Sequence, residues 1–149
     1  MHILSRKALL ALEAVIDVAL YARPDPVQAR DITKRQNVPQ RYLEQIMQAL
    51  VRADILRGVR GPRGGYRLAR ERRRIKVGEI LSVIIELENS DQNLPVSSEI
   101  GQSVVAPFCH QLTTHMAQFL DEVTIEDLCQ RAPTEHIQAL NDRREDFTI

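Results

Sequence analysis

The chain has 149 residues, of which 44% are hydrophobic and 27% charged, a composition typical of one globular domain with a buried core. No apolar run approaches the roughly 18 residues needed to span a bilayer, and the first residues indicate a helix rather than a signal peptide. A cytosolic protein is therefore expected. Cys109 and Cys129 fit neither a disulfide framework nor a zinc site, and we expect buried thiols.

The formal net charge of zero conceals an uneven distribution of charge. Residues 1–80 contain 17 Lys and Arg against 8 Asp and Glu, whereas residues 81–149 contain 3 against 12. A basic half joined to an acidic half is typical of a module that binds a polyanion, attached to a part with another role. On charge alone, a solvated basic face without a partner stays open as the alternative.

Two helices are predicted at the start of the chain. The first, over residues 4–21, is apolar on more than one side and is stopped by Pro24. The second covers residues 27–36, and Asn37 follows it, a residue that tolerates the left-handed conformation of a tight turn.

A third helix, from Pro39 to about Ala53, is predicted to have two different faces. Its apolar stripe repeats at three- and four-residue spacing and consists of Leu43, Ile46, Met47 and Leu50. The other face carries side chains that form hydrogen bonds, namely Gln40, Arg41, Glu44, Gln45 and Gln48. This is the layout of a DNA-binding helix-turn-helix, although many helical hairpins share it.

A β-hairpin is predicted directly after the third helix. Residues 55–60 indicate a strand, residues 61–65 a turn, and residues 66–69 a returning strand. A hairpin in this place is the wing of a winged helix. Because a strand rather than a helix follows the glycines, and no Lys-Ser or Lys-Thr is present, a nucleotide-binding loop is excluded.

The tip of this wing carries Arg60 and Arg63 among glycines that include Gly64 and Gly65. Glycine has no side chain to keep the backbone away from a phosphate or out of a minor groove. We therefore assign all four residues to a candidate DNA contact.

Five cations follow the wing: Arg70, Arg72, Arg73, Arg74 and Lys76. They either grip phosphates beside the wing or form a solvated connector, and the sequence favours neither interpretation. A helix over residues 77–87 is expected next, with an apolar face formed by Ile80, Leu81, Ile84 and Ile85.

Residues 88–103 are polar and lack periodicity, which predicts a mobile loop. A long helix over residues 104–121 follows, and its apolar stripe includes Val105, Phe108, Leu112, Met116 and Phe119. Such a helix beyond a compact module needs a partner surface, and we expect a second copy of the chain related by a two-fold axis. A helix folded back on its own domain is the alternative.

The chain is expected to close with a short helix that begins at Thr124 and extends to about Arg131. The predicted fold is mainly α, a winged helix-turn-helix with a small β-hairpin wing and a long dimerisation helix. Its divisions are the DNA-binding domain at 1–87, the loop and dimerisation helix at 88–131, and a polar tail at 132–149.

The motifs of these segments resemble those of the winged-helix regulators that include IscR, NsrR and CymR. They are Tyr42-Leu43-Glu44-Gln45-Ile46, Arg60-Gly61-Pro62-Arg63-Gly64-Gly65-Tyr66-Arg67-Leu68-Ala69, and Thr124-Ile125-Glu126-Asp127-Leu128. The resemblance covers residues 4–131 and implies a homodimer that binds two-fold-symmetric sites in double-stranded DNA. It also implies that Glu44 and its neighbours, Tyr42 included, touch base edges while the wing arginines reach the minor groove.

Many of these relatives hold an iron–sulfur cluster through three cysteines and a histidine. By resemblance, the four ligand positions fall near Asp91, Ser97, Ser103 and Ala106, none of which provides a thiolate or an imidazole. A member of the family without a cofactor or metal is therefore expected.

The sequence thus predicts a homodimeric, sequence-specific transcription regulator, expected to be a repressor, that responds to a small molecule or a partner protein. Oxidation of Cys109 is a further candidate signal, although its place on the apolar stripe argues for burial, and a redox thiol needs exposure and a low pKa. A winged helix used for protein docking is the alternative. An enzyme is excluded because no nucleophile–base or metal-ligand pattern is present.

Overall fold

The computed structural model describes residues 4–89, 97–133 and 135, which form a mainly helical fold with one two-stranded sheet. In chain order the elements are α1 (Arg6–Tyr21), α2 (Ala29–Gln36), α3 (Gln40–Arg52), β1 (Leu56–Val59), β2 (Gly65–Leu68), α4 (Val77–Glu88), α5 (Ala106–Glu122) and α6 (Ile125–Cys129). The predicted fold class, a winged helix-turn-helix followed by a long helix, is confirmed. None of the helices in these ranges has the length and apolarity that a membrane span requires.

Helix α1 is the centre of the fold. It begins at the N-cap Ser5, whose hydroxyl accepts a hydrogen bond from the Ala8 amide at 3.1 Å. Its small residues, Ala11 and Ala14 among them, are fully buried, and α2, α3, α4 and α6 all pack against it. A helix surrounded in this way explains why its sequence is apolar on more than one side.

The predicted apolar stripe of α3 is fully buried in this core. Each such side chain contributes roughly 1.5–3 kcal/mol by leaving water. Asn37 adopts the predicted left-handed conformation, with φ 53° and ψ 51°, and turns the chain from α2 into α3. The opposite face of α3 is therefore directed away from the core.

Residues of α4 are buried as predicted with one exception. Ile80, Leu81 and Ile84 are buried, but Ile85 is 49% exposed. Ile85 lies about 40° around the helix from Leu81, at the outer edge of the apolar face, where the described residues do not cover it. The expectation that Ile85 packs in the core was wrong for this chain on its own.

Strands β1 and β2 pair antiparallel, with Leu56 opposite Leu68 and Val59 opposite Gly65. A bridge that the sequence did not predict joins β2 to the segment between α1 and α2. There the Val27 amide donates to the Tyr66 carbonyl at 3.0 Å, and the Tyr66 amide donates to the Val27 carbonyl at 2.7 Å. The base of the wing is thereby attached to the helix-turn-helix.

The loop predicted over residues 88–103 is partly helical. Residues 90–96 lie outside the described residues, but helix begins at Glu99 and passes through a π-helical turn, Gly101–Val105, into α5. The Ser98 hydroxyl accepts a hydrogen bond from the Gly101 amide at 3.0 Å, so the Ser-Ser-Glu sequence is a helix start and was wrongly interpreted as loop.

Helix α6 returns to the centre of the fold, where Ile125 and Cys129 are buried beside α1. The amide of Ile125 donates to the Ile75 carbonyl at 2.9 Å, directly before α4. The division at residue 87 stays a prediction, since residues from both sides of it belong to one core cluster.

Candidate nucleic-acid interface

The outer face of α3 is the first part of the candidate interface. Gln40, Arg41, Gln45 and Gln48 are exposed, because the buried stripe of the same helix holds their face outward. Tyr42 and Glu44 are half-buried at the edges of this face. The structure thus brings all six predicted residues of the helix to the exposed side or its margin.

Glu44 on α3 interacts electrostatically with the base of the wing. The Gln40 amide nitrogen Nε2 donates to Glu44 Oε1 at 2.9 Å, which fixes one oxygen of the carboxylate. Burial raises the pKa of the Tyr66 phenol on β2, and the negative charge of Glu44 raises it further. The base of the wing and the polar face of α3 therefore share one electrostatic environment.

The tip of the wing presents cations that no described residue neutralises. Arg60 and Arg63 are exposed, and neither has a hydrogen bond or an ion pair within the described ranges. Gly61 has φ +115°, a conformation that only glycine adopts readily, and its carbonyl accepts from the Gly64 amide at 2.9 Å. The turn therefore holds both arginines at the end of the hairpin.

Close backbone packing within the protein requires glycine at positions 64 and 65. A Cβ on Gly64 would lie 2.2 Å from the Val59 carbonyl oxygen, and one on Gly65 would lie 2.4 Å from the carbonyl oxygen of Val27. Both contacts are too short for any side chain. Their predicted role in approaching DNA stays a prediction, because the packing of the hairpin alone requires them.

The cationic run after the wing is mostly engaged by partners within the protein. Arg70 donates to Glu79 Oε1 at 3.1 and 3.2 Å and to the Asp54 and Arg74 carbonyls at 3.2 Å each. Two further ion pairs are Arg72–Glu126 and, at 2.6 Å, Arg73–Glu71. Arg70 and Arg72 thereby tie the segment to α4 and α6, while Arg73 and Arg74 are exposed and the choice between phosphate grip and solvated connector stays open for them.

Arg67 on β2 is likewise structural. Its guanidinium donates to the Ala22 carbonyl at 3.1 Å and to the carbonyl of Pro24. These bonds reinforce the bridge between Val27 and Tyr66. Arg67 and Arg70 are thus engaged at the base of the wing, whereas Arg60 and Arg63 at its tip have no partner among the described residues.

The start of α1 is a neighbour of α3 that the sequence did not predict. The Lys7 ammonium lies 5.6 Å from the centroid of the Tyr42 ring, within the range of a cation–π contact. No sequence pattern links these two residues, because they lie 35 positions apart and meet only through the packing of α1 on α3.

Helix α5 and the turn before it bear a row of apolar side chains that the described residues leave uncovered. Phe108 is 63% and Phe119 65% exposed, Val105 and Leu112 are also exposed, and Met116 is half-buried. Only the last turn packs on the domain, where Leu120 lies against Gly78 of α4. The described part of α5 is therefore not folded back along its length, which leaves a surface suited to a partner.

The two cysteines differ in their surroundings. Cys129 is buried as predicted, and burial raises the pKa of its thiol. Cys109 is exposed, contrary to the expectation of burial, because the residues that the structure describes do not cover this part of α5.

With this geometry established, comparison with known proteins identifies the family. The Rrf2 family, described as iron-dependent transcriptional regulators, matches residues 4–131. The chain belongs to the Rrf2 family. It is 30% identical to the HTH-type transcriptional regulator IscR of Photobacterium profundum over 142 residues, covering 94% of this chain and 83% of that protein.

Solved structures of Rrf2-like regulators share the fold. T. potens IscR, which is 31% identical, aligns with a TM-score of 0.70 over 89% of each chain. CymR, the global cysteine regulator of B. subtilis, is 26% identical and aligns with a TM-score of 0.68 over 89% of this chain and 100% of its own. The Rrf2-family protein is therefore a transcriptional regulator with a DNA-binding winged-helix fold, and not an enzyme.

The description of the Rrf2 family as iron-dependent raises the question of whether this chain fits an iron–sulfur cluster. Of the four positions that the resemblance assigns to ligands, Asp91 lies outside the described residues and the others are Ser97, Ser103 and Ala106. The Ser103 hydroxyl donates to the Glu99 carbonyl at 2.6 Å, and Ala106 has no donor atom. Clusters are held by thiolates, with imidazole as the common substitute, so this donor set does not fit one.

Proposed function

We propose that this Rrf2-family protein is a homodimeric, sequence-specific DNA-binding repressor that works without an iron–sulfur cluster. One observation carries the proposal, the contrast between engaged and free arginines. Arg67, Arg70 and Arg72 bind partners inside the protein. The arginines on the outer face of α3 and at the tip of the wing have no partner among the described residues. Free cations gathered on one basic module are the electrostatic footprint of a nucleic-acid surface.

The free set consists of Arg41 on α3 and Arg60 and Arg63 on the wing. In a winged helix, the second helix of the helix-turn-helix enters the major groove. The wing arginines then lie at the neighbouring minor groove, whose negative potential favours them. These contacts supply affinity and set the position of the protein on the duplex.

Glu44 is the candidate for reading a base. A carboxylate in the major groove accepts a hydrogen bond from the N4 amine of cytosine. Gln40 already holds Glu44 Oε1, and this contact orients the other oxygen. Gln45 and Gln48 provide further donors and acceptors on the same face.

Lys7 and Tyr42 join the interface in this proposal as a phosphate contact at the margin of α3. The cation–π contact between them holds the ammonium near the start of the reading helix. Such contacts fix the register of the helix on the duplex without reading sequence.

The homodimer rests on the uncovered row of α5. Phe108 and Phe119 expose most of their rings, and the intervening residues extend the same face. A two-fold axis places identical apolar rows against one another and brings two reading helices about 34–36 Å apart, one turn of DNA. Bound across a promoter, such a dimer occludes it, and its action on the bacterial chromosome places it in the cytoplasm.

Cys109 stays a candidate redox residue on one observation, its exposure in the single chain. It lies among the residues that a second copy would cover. A redox signal would therefore act on the dimer seam, whereas protein docking through α3 is disfavoured because that face is polar rather than apolar.

The test is to incubate the purified full-length protein with fragmented genomic DNA at about 0.15 M salt and to sequence what it retains. We expect an enriched motif with two-fold symmetry. The double variant Arg60→Ala/Arg63→Ala should lose most retention, while Arg73→Ala, which removes one cation already paired with Glu71, should keep it. Retention without a motif would contradict sequence-specific reading, and no retention would overturn the proposal.

A further inference from the structure

A cleft of about 420 Å³ is lined by residues outside α3 and the wing, so it is distinct from the proposed DNA-binding residues. It lies between α1, the end of α2 and the segment that follows α6. Its walls are mainly apolar and include Ile16, Leu20, Leu128 and Pro133. This volume lies within the range of sites that hold small molecules, roughly 300–1,000 Å³.

One polar atom in the lining of this cleft has no partner among the described residues. Gln36 Oε1, at the last residue of α2, is buried from solvent and accepts no hydrogen bond from any of them. A buried carbonyl oxygen without a donor is unfavourable, so such atoms are rare in folded proteins. The side-chain amide turns easily about its last torsion, which allows the oxygen to meet a donor in the cleft.

The formal charges around the cleft cancel. Asp17 and Arg35 form a bidentate pair in its wall, with N···O distances of 2.6 and 2.7 Å. The two other charged residues in the lining are Glu13 and Arg131, of opposite sign. With no net charge to neutralise, the cleft favours an uncharged ligand with an apolar body.

We infer that this cleft is a regulatory site for a small uncharged molecule that has an apolar body and one N–H or O–H donor for Gln36 Oε1. The role rests on the proposed function, since the response is a change in DNA binding. The ligand would lie against the Asp17–Arg35 pair, which joins α1 to α2 two residues before the Asn37 corner that leads into α3. A ligand in this position acts on the geometry of the helix-turn-helix through its differential affinity for two arrangements of α1 and α2.

The probes for the test are indole, which has an apolar body and one N–H, and 1-methylindole, which lacks that donor. Each is titrated into the ¹⁵N-labelled full-length protein while amide resonances are followed. We expect saturable shifts at Leu20, Tyr21 and Leu128 with a dissociation constant on the order of 1 mM for indole. Binding of 1-methylindole should be about fivefold weaker, because it leaves Gln36 Oε1 without a donor.

Two variants separate the hydrogen bond from the apolar contact. Gln36→Leu keeps the shape of the wall but removes the acceptor, so the two probes should bind it equally well. Gln130→Leu is the matched control, since Gln130 is exposed at the end of α6 and does not line the cleft, and it should retain the preference for indole. Equal binding of both probes to the unaltered protein would overturn the role of Gln36.

Absence of shifts at the cleft, or shifts confined to Phe108 and Leu112 on α5, would overturn the site itself. The regulatory role has its own measurement: saturating indole should change the affinity for retained DNA by at least about fivefold in the unaltered protein. Unchanged affinity despite binding in the cleft would overturn that role. Failure to retain DNA without any probe would instead count against the proposed function, and the titration would still decide the site.

Discussion

The carboxylate of Asp17 and the guanidinium of Arg35 meet through two parallel hydrogen bonds, of 2.6 and 2.7 Å, between α1 and α2. Asp17 is only 7% exposed, and the guanidinium also lies 4.4 Å from the centroid of the Tyr21 ring. The hydrogen bonding of Arg35 to the Asp17 carboxylate, which accepts, is the main reason that the pKa of Arg35 is raised. Helix α2 contributes one fully buried core residue, Ile32, so this polar link is a large part of its attachment.

Replacing Arg35 by Ala should therefore lower the free energy of unfolding by about 2 kcal/mol. This lies below the 3–5 kcal/mol of a fully buried broken pair because the guanidinium is partly solvated. Arg35→Lys keeps the charge but loses the parallel bonds and should recover less than half of the loss. Urea unfolding monitored by circular dichroism measures both, and full recovery by Lys would show that charge alone matters.

Glu44→Ala should relax base preference more than it weakens binding. Loss of one base contact costs about 1–3 kcal/mol of discrimination, while the phosphate contacts that supply most of the affinity stay in place. The measurement is the affinity for the retained motif and for the same motif with each base pair changed in turn. An equal loss on all of these sequences would contradict a reading role for Glu44.

Arg60→Ala and Arg63→Ala should each reduce the salt dependence of DNA binding. Every phosphate contact that is lost lowers the slope of log K against log salt by about 0.9. Arg73→Ala removes the same charge from a residue already paired with Glu71, so its slope should match that of the unaltered protein. The slope is measured from the affinity of each variant for DNA at three or more salt concentrations. Identical slopes for all variants would place the wing outside the interface.

Phe119→Asp should convert the dimer to monomers, because it buries an unpaired charge in the seam. Thr114→Asp introduces the same charge on α5, about 200° around the helix from Leu112, and should leave the dimer intact. Light scattering gives the mass of each variant, and circular dichroism confirms that the helices remain. A dimer that persists in Phe119→Asp would show that the copies meet elsewhere.

Asp127 provides a prediction about acid stability. Its carboxylate accepts from the Thr124 amide at 2.8 Å, and this bond, followed by that of the Thr124 hydroxyl, lowers the pKa of Asp127. Because the pKa is lower in the folded protein, the carboxylate stabilises the fold above the unfolded value of about 3.9, and this contribution is lost as pH falls through the folded value. Asp127→Asn should unfold more easily than the unaltered protein at about pH 7 and equally at about pH 2. A difference in stability that is the same at both pH values would contradict this assignment.

Local patterns were sufficient to predict the helices and the wing. The stripe from Leu43 to Leu50, the corner at Asn37 and the hairpin turn at Gly61 each depend on neighbours within a few residues, and each is found as predicted. What the patterns did not show depends on contacts between distant segments. Asp17 and Arg35 have no common motif, and Lys7 meets Tyr42 only through tertiary packing.

The same reason explains the wrong and incomplete predictions. The cationic run was ambiguous because its partners, Glu79 and Glu126, lie on helices that fold back from later in the chain. Cys109 was expected to be buried because an apolar stripe was taken to be covered, whereas the described residues leave this part of α5 exposed. Glu99 was placed in a loop because its helix start lacks an apolar repeat.

The bridge between Val27 and Tyr66, with Arg67 bound to the Ala22 and Pro24 carbonyls, joins the wing to the helix-turn-helix at its base. Each half of a dimer would then bind its half-site as one rigid unit, and the wing would not move independently of the helix-turn-helix. A signal would change instead the distance between the two halves. Such a signal would change the number of base pairs that the protein accepts between the two half-sites. The base preferences within each half-site would stay the same.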